Sequence, residues 1–134
     1  MTQSIFINLP VKDLARSTQF FKSLGFTLVP QFSDETAGCL KVGDNIYVML
    51  LIESRFREFT QKPVSDARKQ TEVLLALEVE SREAVKDLVE KALAAGGSLY
   101  LEPQEHGWMF SHSFADLDGH QWEVFWMDTD AMPE

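Results

Sequence analysis

The chain has 134 residues, 12 of them basic and 21 acidic, for a formal net charge of −9. That length suits one compact unit burying roughly two-thirds of its unfolded surface, and apolar and charged fractions of 45% and 25% exclude bulk disorder. The acidic balance argues against a nucleic-acid partner, no apolar run nears the ~20 residues of a membrane helix, and the start, "MTQSIFINLP", lacks a signal-peptide pattern.

A soluble cytoplasmic protein with no membrane partner is therefore expected. The single cysteine, Cys39, excludes an intramolecular disulfide and suits a reducing compartment. It lies in an apolar run and reads as a packed thiol rather than a reactive one.

In chain order, residues 4–9 alternate as a strand that Pro10 closes. Asp13 can cap a helix by accepting from unpaired backbone N–H groups. That helix carries Leu14, Phe20, Phe21 and Leu24 on one face and ends at Gly25, a C′ glycine. Strands are expected at about 26–32, 36–42 and 45–52, with Pro30 demoting the first of them to an edge or a bulge. The stretch 53–70 is polar and charged, with Phe56 and Phe59 as its aromatic residues. It reads either as a linker or as a short helix covering a cavity.

The order then repeats. A strand at 72–79 leads to Ser81, a good N-cap, and a helix to Ala95. Its stripe is Val85, Leu88, Val89, Ala92 and Leu93. Gly96-Gly97 ends it, and strands at about 98–101, 108–115 and 120–127 follow. The halves overlay with a shift of about 68, Leu9 on Leu77 and Val11 on Val79. This double βαβββ order predicts a pseudo-symmetric pair, with module one at about 1–54, a connecting segment at 55–70 and module two at about 71–130.

The tail "SHSFADLDGHQWEVFWMD" (111–128) carries the sharpest local signal. Asp118-Gly119 between two alternating apolar runs predicts a tight hairpin turn, because the turn needs φ > 0. On the return strand Glu123 faces opposite to Trp122, Val124 and Trp126.

Two of these stretches, "INLPVKDLARSTQFFKSLGF" (7–26) and "FADLDGHQWEVFW" (114–126), resemble the vicinal oxygen chelate superfamily. This group includes glyoxalase I, bleomycin- and fosfomycin-resistance proteins and extradiol dioxygenases. Leu117 stands where the family's hairpin usually has Pro. More narrowly, "DNIYVMLL", "QTEVLLALEVESRE" and "DGHQWEVFWMD" resemble a glyoxalase-like bacterial branch of unassigned substrate. The resemblance implies an α+β fold in which two βαβββ modules build a curved, eight-stranded mixed-sheet cup as a single domain, helices outside. It also implies a homodimer as partner state, and a lyase- or dioxygenase-like activity.

With that fold, the inner face is expected to present Phe6 and Asn8; Ile46, Val48 and Leu50; Leu74, Ala76 and Glu78; and Gln121, Glu123 and Phe125. The family's four metal-ligand positions fall on Phe6, near Leu50, on Leu74 and on Glu123. Only the last is a suitable donor, so no cofactor and no four-ligand metal site are expected. A divalent metal held instead by His106, His112 and Glu123 is the alternative.

The expected ligand pocket is Phe6, Asn8, Val48, Leu50, Leu74, His106, Trp108, His112, Gln121, Glu123 and Phe125, with Glu123 and His106 as the candidate catalytic residues. His106 lies in the turn-rich "PQEHGW" beside Trp108 and can do acid–base work if it or His112 reaches Glu123. His112 and His120 read otherwise as surface or hairpin structure. Glu123 is either a ligand anchor in an apolar pocket or a structural group bonded to Asn8 or Gln121. Function follows as binding of a small organic ligand, with drug or toxin sequestration of the bleomycin-resistance kind as the alternative.

Overall fold

A computed structural model describes residues 1–133. The chain divides into two compact units, Met1–Ser65 and a second that begins at Asp66. Each has the order βαβββ and builds its own four-stranded mixed sheet. The expected α+β class and doubled module are what the chain adopts.

In the first unit, β1 (Ile5–Val11) pairs in parallel with β4 (Ile46–Ile52), and β3 (Ala37–Gly43) and the short β2 (Thr27–Leu28) follow antiparallel. Helix α1 (Leu14–Ser23) starts where Asp13 accepts from the Arg16 N–H at 3.1 Å. It ends at Gly25, whose φ of +99° disfavours any residue with a Cβ. Phe20 and Phe21 are fully buried with Leu9, Val11, Val48 and Leu50, each contributing about 1.5–3 kcal/mol by burial. The expected strand at 26–32 is cut to two residues. Pro30 has no N–H for the ladder, and Pro30–Phe32 forms a 3-10 turn at the sheet edge. The polar stretch after β4 begins with a short helix, α2 (Glu53–Phe56), that packs on β1 and β4, then a 3-10 turn to Phe59.

In the second unit, β5 (Leu74–Glu78) pairs in parallel with β8 (Gln121–Met127). β7 (Met109–Ala115) and β6 (Gln104–Glu105) follow antiparallel. Helix α3 (Arg82–Ala94) is capped by Ser81, whose hydroxyl accepts from the Ala84 N–H at 3.0 Å. Val85, Val89 and Ala92 are buried, whereas Leu93 is exposed, so the apolar stripe is narrower than expected. They pack over Phe114, Trp122 and Val124, with the Phe114 and Trp122 rings stacked. The expected strand at 98–101 is only a single bridge, Ser98 to Ala115. Leu99 and Leu101 point outward and stay exposed, so this segment buries too little to extend the ladder, and the edge strand forms later, at β6.

Register decides which side chains share a face, because directly paired residues point the same way. Asn8 pairs with Met49 and Ala76 with Glu123, so Met49 is to the first module what Glu123 is to the second.

Candidate functional site on the second sheet

In the first unit, Phe6 pairs with Tyr47, and their rings stack at 4.5 Å. Phe32 meets Phe6 edge-on at 6.0 Å. Phe6 and Asn8 therefore share a face with Tyr47, Met49 and Cys39. Val48 and Leu50 lie on the opposite face with Leu9 and Val11, fully buried in the core. Their expected facing with Phe6 is corrected, by one residue of register. The family's fourth-strand ligand position accordingly falls on Met49. The Asn8 amide donates to the Phe6 carbonyl in its own strand at 3.3 Å. Cys39 is buried, and burial raises its thiol pKa, as suits a packing role.

In the second unit, the face turned from α3 carries Leu74, Ala76 and Glu78 of β5, Gln121, Glu123 and Phe125 of β8, and Ser111 and Ser113 of β7. Leu74 is 52% exposed, while Gln121, Glu123 and Phe125 are half-buried. Gln121 accepts from the Thr71 hydroxyl at 2.7 Å. Among the described residues, none gives the Glu123 carboxylate a hydrogen bond or an ion pair. A carboxylate in that setting draws its hydrogen bonds from solvent or from a bound molecule.

His112 pairs with Val124, so it faces α3, away from Glu123. Its Nε2 is buried and lacks a partner. His106 sits exposed in the turn between β6 and β7, its ring 6.3 Å from that of Trp108, which is half-buried. That turn is gripped by Arg82, which forms an ion pair with Glu105 and donates to the Gly107 carbonyl at 2.6 Å. The Arg82 guanidinium also lies 4.9 Å from the Trp126 ring centre. No hydrogen bond joins His106 or His112 to Glu123. Three of the four family ligand positions, Phe6, Met49 and Leu74, offer hydrocarbon or thioether, which does not fit an oxygen- and nitrogen-donor site for a divalent ion. Among the described residues, no three His, Cys, Asp or Glu side chains gather as a metal site.

Two residues escaped the sequence reading. Asp116 is 5% exposed and locks the hairpin: one carboxylate oxygen accepts from the Asp118 and His120 N–H groups, the other from Trp122 Nε1, all at 3.0 Å. Its place at the first position of the turn was the available signal, since Asp there bonds the backbone two residues on. His120 thus belongs to the hairpin. Tyr100, in the irregular segment after α3, has a buried hydroxyl with no hydrogen bond of ordinary geometry. Burial raises its pKa most, a hydrogen-bonding contact with the Ser113 side chain lowers it, and the Glu123 charge raises it. Nothing in the local sequence marks it.

The first unit holds a separate open cleft of about 370 Å³ between α1 and β3, lined by Leu14, Thr18, Leu28, Asp34, Glu35 and Gly38 among others. It contains none of the expected site residues.

The profile of the Glyoxalase/Bleomycin resistance protein/Dioxygenase superfamily matches residues 5–124. Among solved structures, a hypothetical protein of S. aureus is 32% identical with a TM-score of 0.79, covering 93% of this chain and 94% of that one. A glyoxalase-related enzyme of Fulvimarina pelagi is 24% identical with a TM-score of 0.79, covering 94% and 88%. The genomically encoded fosfomycin resistance protein of Listeria monocytogenes is 18% identical with a TM-score of 0.69, covering 97% of each. These last two share the fold. No curated protein matches the sequence.

Proposed function

The chain belongs to the glyoxalase/bleomycin resistance protein/dioxygenase superfamily, and from that premise we propose that it binds a small organic molecule with Glu123 as the polar anchor. The observation that carries this reading is the half-buried Glu123 carboxylate beside Leu74, Ala76 and Phe125, which none of the described residues meets with a hydrogen bond or ion pair. An apolar wall with few polar groups is the usual character of a small-molecule site.

Sequestration without turnover is favoured over acid–base catalysis by a His106 or His112 partner, because His112 faces α3, away from Glu123, and His106 is exposed in the turn between β6 and β7. We read the donor set at Phe6, Met49, Leu74 and Glu123 as unsuited to the superfamily's four-ligand metal. Metal analysis of protein purified without chelator or nickel resin is expected to find well under stoichiometric transition metal, and a stoichiometric ion would overturn that reading. A homodimer completes the proposal, and sedimentation as a monomer at micromolar concentration would remove it.

A thermal-shift screen of neutral and cationic aromatic compounds tests the binding. Compounds that stabilise the wild type are expected to bind Glu123→Gln about tenfold more weakly, a loss of about 1.4 kcal/mol, with little change in the Tm of the unliganded protein. Unchanged affinity would refute the anchor, and global unfolding of the variant would assign Glu123 to structure instead.

A further inference from the structure

The second sheet carries a row of residues that runs straight across its strands. Ala76 pairs with Glu123, and Glu123 pairs with Ser113. The bridge between Ser98 and Ala115 is antiparallel, with N–H···O distances of 3.0 and 2.7 Å in the two directions. Antiparallel pairing keeps the sum of partner numbers constant, so continuing it brings Tyr100 opposite Ser113. Tyr100 thereby joins the row that holds Glu123, although the segment after Ser98 is too irregular to be a strand.

Along that row stand a hydroxyl donor and a carboxylate acceptor. The Tyr100 hydroxyl is buried with no hydrogen bond of ordinary geometry, Ser113 giving it only a looser polar contact, and among the described residues none donates to the Glu123 carboxylate. Neither is spent on the other. A buried hydroxyl left unpaired is costly and rare enough in native proteins to demand a reason. A bound molecule supplies one.

We propose that Tyr100 is a second anchor of this site and that the pair selects ligands bearing a carboxamide on an apolar body. The inference rests on the reading of Glu123 as a ligand anchor. The carboxamide oxygen accepts from the Tyr100 hydroxyl, its N–H donates to Glu123, and the apolar body lies toward Leu74 and Phe125. A carboxylate ligand meets like charge at Glu123 and is rejected. The raised Tyr100 pKa keeps the hydroxyl protonated, hence a donor, across the physiological range.

Benzamide is the probe, with toluene as its counterpart lacking the polar group, titrated by NMR. Tyr100→Phe is expected to weaken benzamide about tenfold, to leave toluene unchanged, and to hold or raise Tm, since it deletes a buried hydroxyl that lacks a hydrogen bond of ordinary geometry. Equal benzamide affinity in wild type and Tyr100→Phe would overturn the proposal, as would a wild type that binds no benzamide. Loss in Tyr100→Phe with none in Glu123→Gln would refute the Glu123 anchor instead. A second readout needs no ligand. Tyr47 and Tyr100 are the two tyrosines, so in a Tyr47→Phe background the ultraviolet titration reports Tyr100 alone. Adding Glu123→Gln is expected to lower its pKa, and an unmoved titration would mean that the two groups are not neighbours.

Discussion

Asp116→Ala is expected to lose about 2–4 kcal/mol of stability, lowering Tm by roughly 10 °C. The change strands the buried Trp122 Nε1–H, and it removes the acceptor for two turn N–H groups. Trp122 is among the largest fully buried side chains, so its indole has no route to water. Asp116→Asn is expected to cost less, because the amide keeps one acceptor while placing an NH₂ against the other donors. The aspartate also carries a pH signature. Burial raises its pKa above the ordinary carboxylate value despite the hydrogen bonds and nearby His120, which lower it. A raised folded-state pKa gives stability fully present below the unfolded value and lost as pH rises through the folded one. Equilibrium urea unfolding from pH 3 to 7 is expected to show that decline in the wild type and a smaller one in Asp116→Asn. Identical profiles would show that the carboxylate is not buried as described.

Gly119→Ala is the second large effect, at about 2–3 kcal/mol. Gly119 has φ of +89° and closes the turn that begins at Asp116, its N–H donating to the Asp116 carbonyl at 3.1 Å. A Cβ there would also lie 2.7 Å from Arg68 Cγ and 2.9 Å from the Arg68 backbone nitrogen. A side chain can swing aside, but the backbone at Arg68 is tied by its own bond to the Asp66 carboxylate at 3.0 Å. Arg68 also donates through its guanidinium to the Leu117 carbonyl. The substitution is therefore expected to loosen residues 66–70 together with the hairpin, visible as faster amide exchange in both. A thermal melt indistinguishable from the wild type would contradict this packing.

The fold was legible where local chemistry and periodicity agree. Asp13 and Ser81 as caps, Gly25 and Gly96 as helix stops, and Gly119 as the positive-φ residue of the hairpin each reflect a backbone need that few residues meet, although the turn itself is centred on Leu117-Asp118 rather than on Asp118-Gly119. Edge elements were less legible. Pro30 warned of a broken strand, but the loss of 98–101 to a single bridge depended on how little Leu99 and Leu101 bury, which is a property of the whole unit. The site was legible at Glu123 because alternation about Trp122 and Val124 fixes its face. It was not legible on β4, where a run of apolar residues from Ile46 to Ile52 hides the phase of alternation. There only the pairing of Asn8 with Met49 shows that Leu50 faces the core. Tyr100 was hidden for a related reason: its partners arise from a pairing that begins with one bridge.

Backbone amide NMR mapping with a set of neutral aromatic compounds tests the proposed site most directly. Shifts centred on Ala76, Ser113 and Glu123, lost in Glu123→Gln, are the expected result. Shifts centred on the α1–β3 cleft around Leu14, Thr18 and Gly38, or a pattern unchanged in Glu123→Gln, would contradict it.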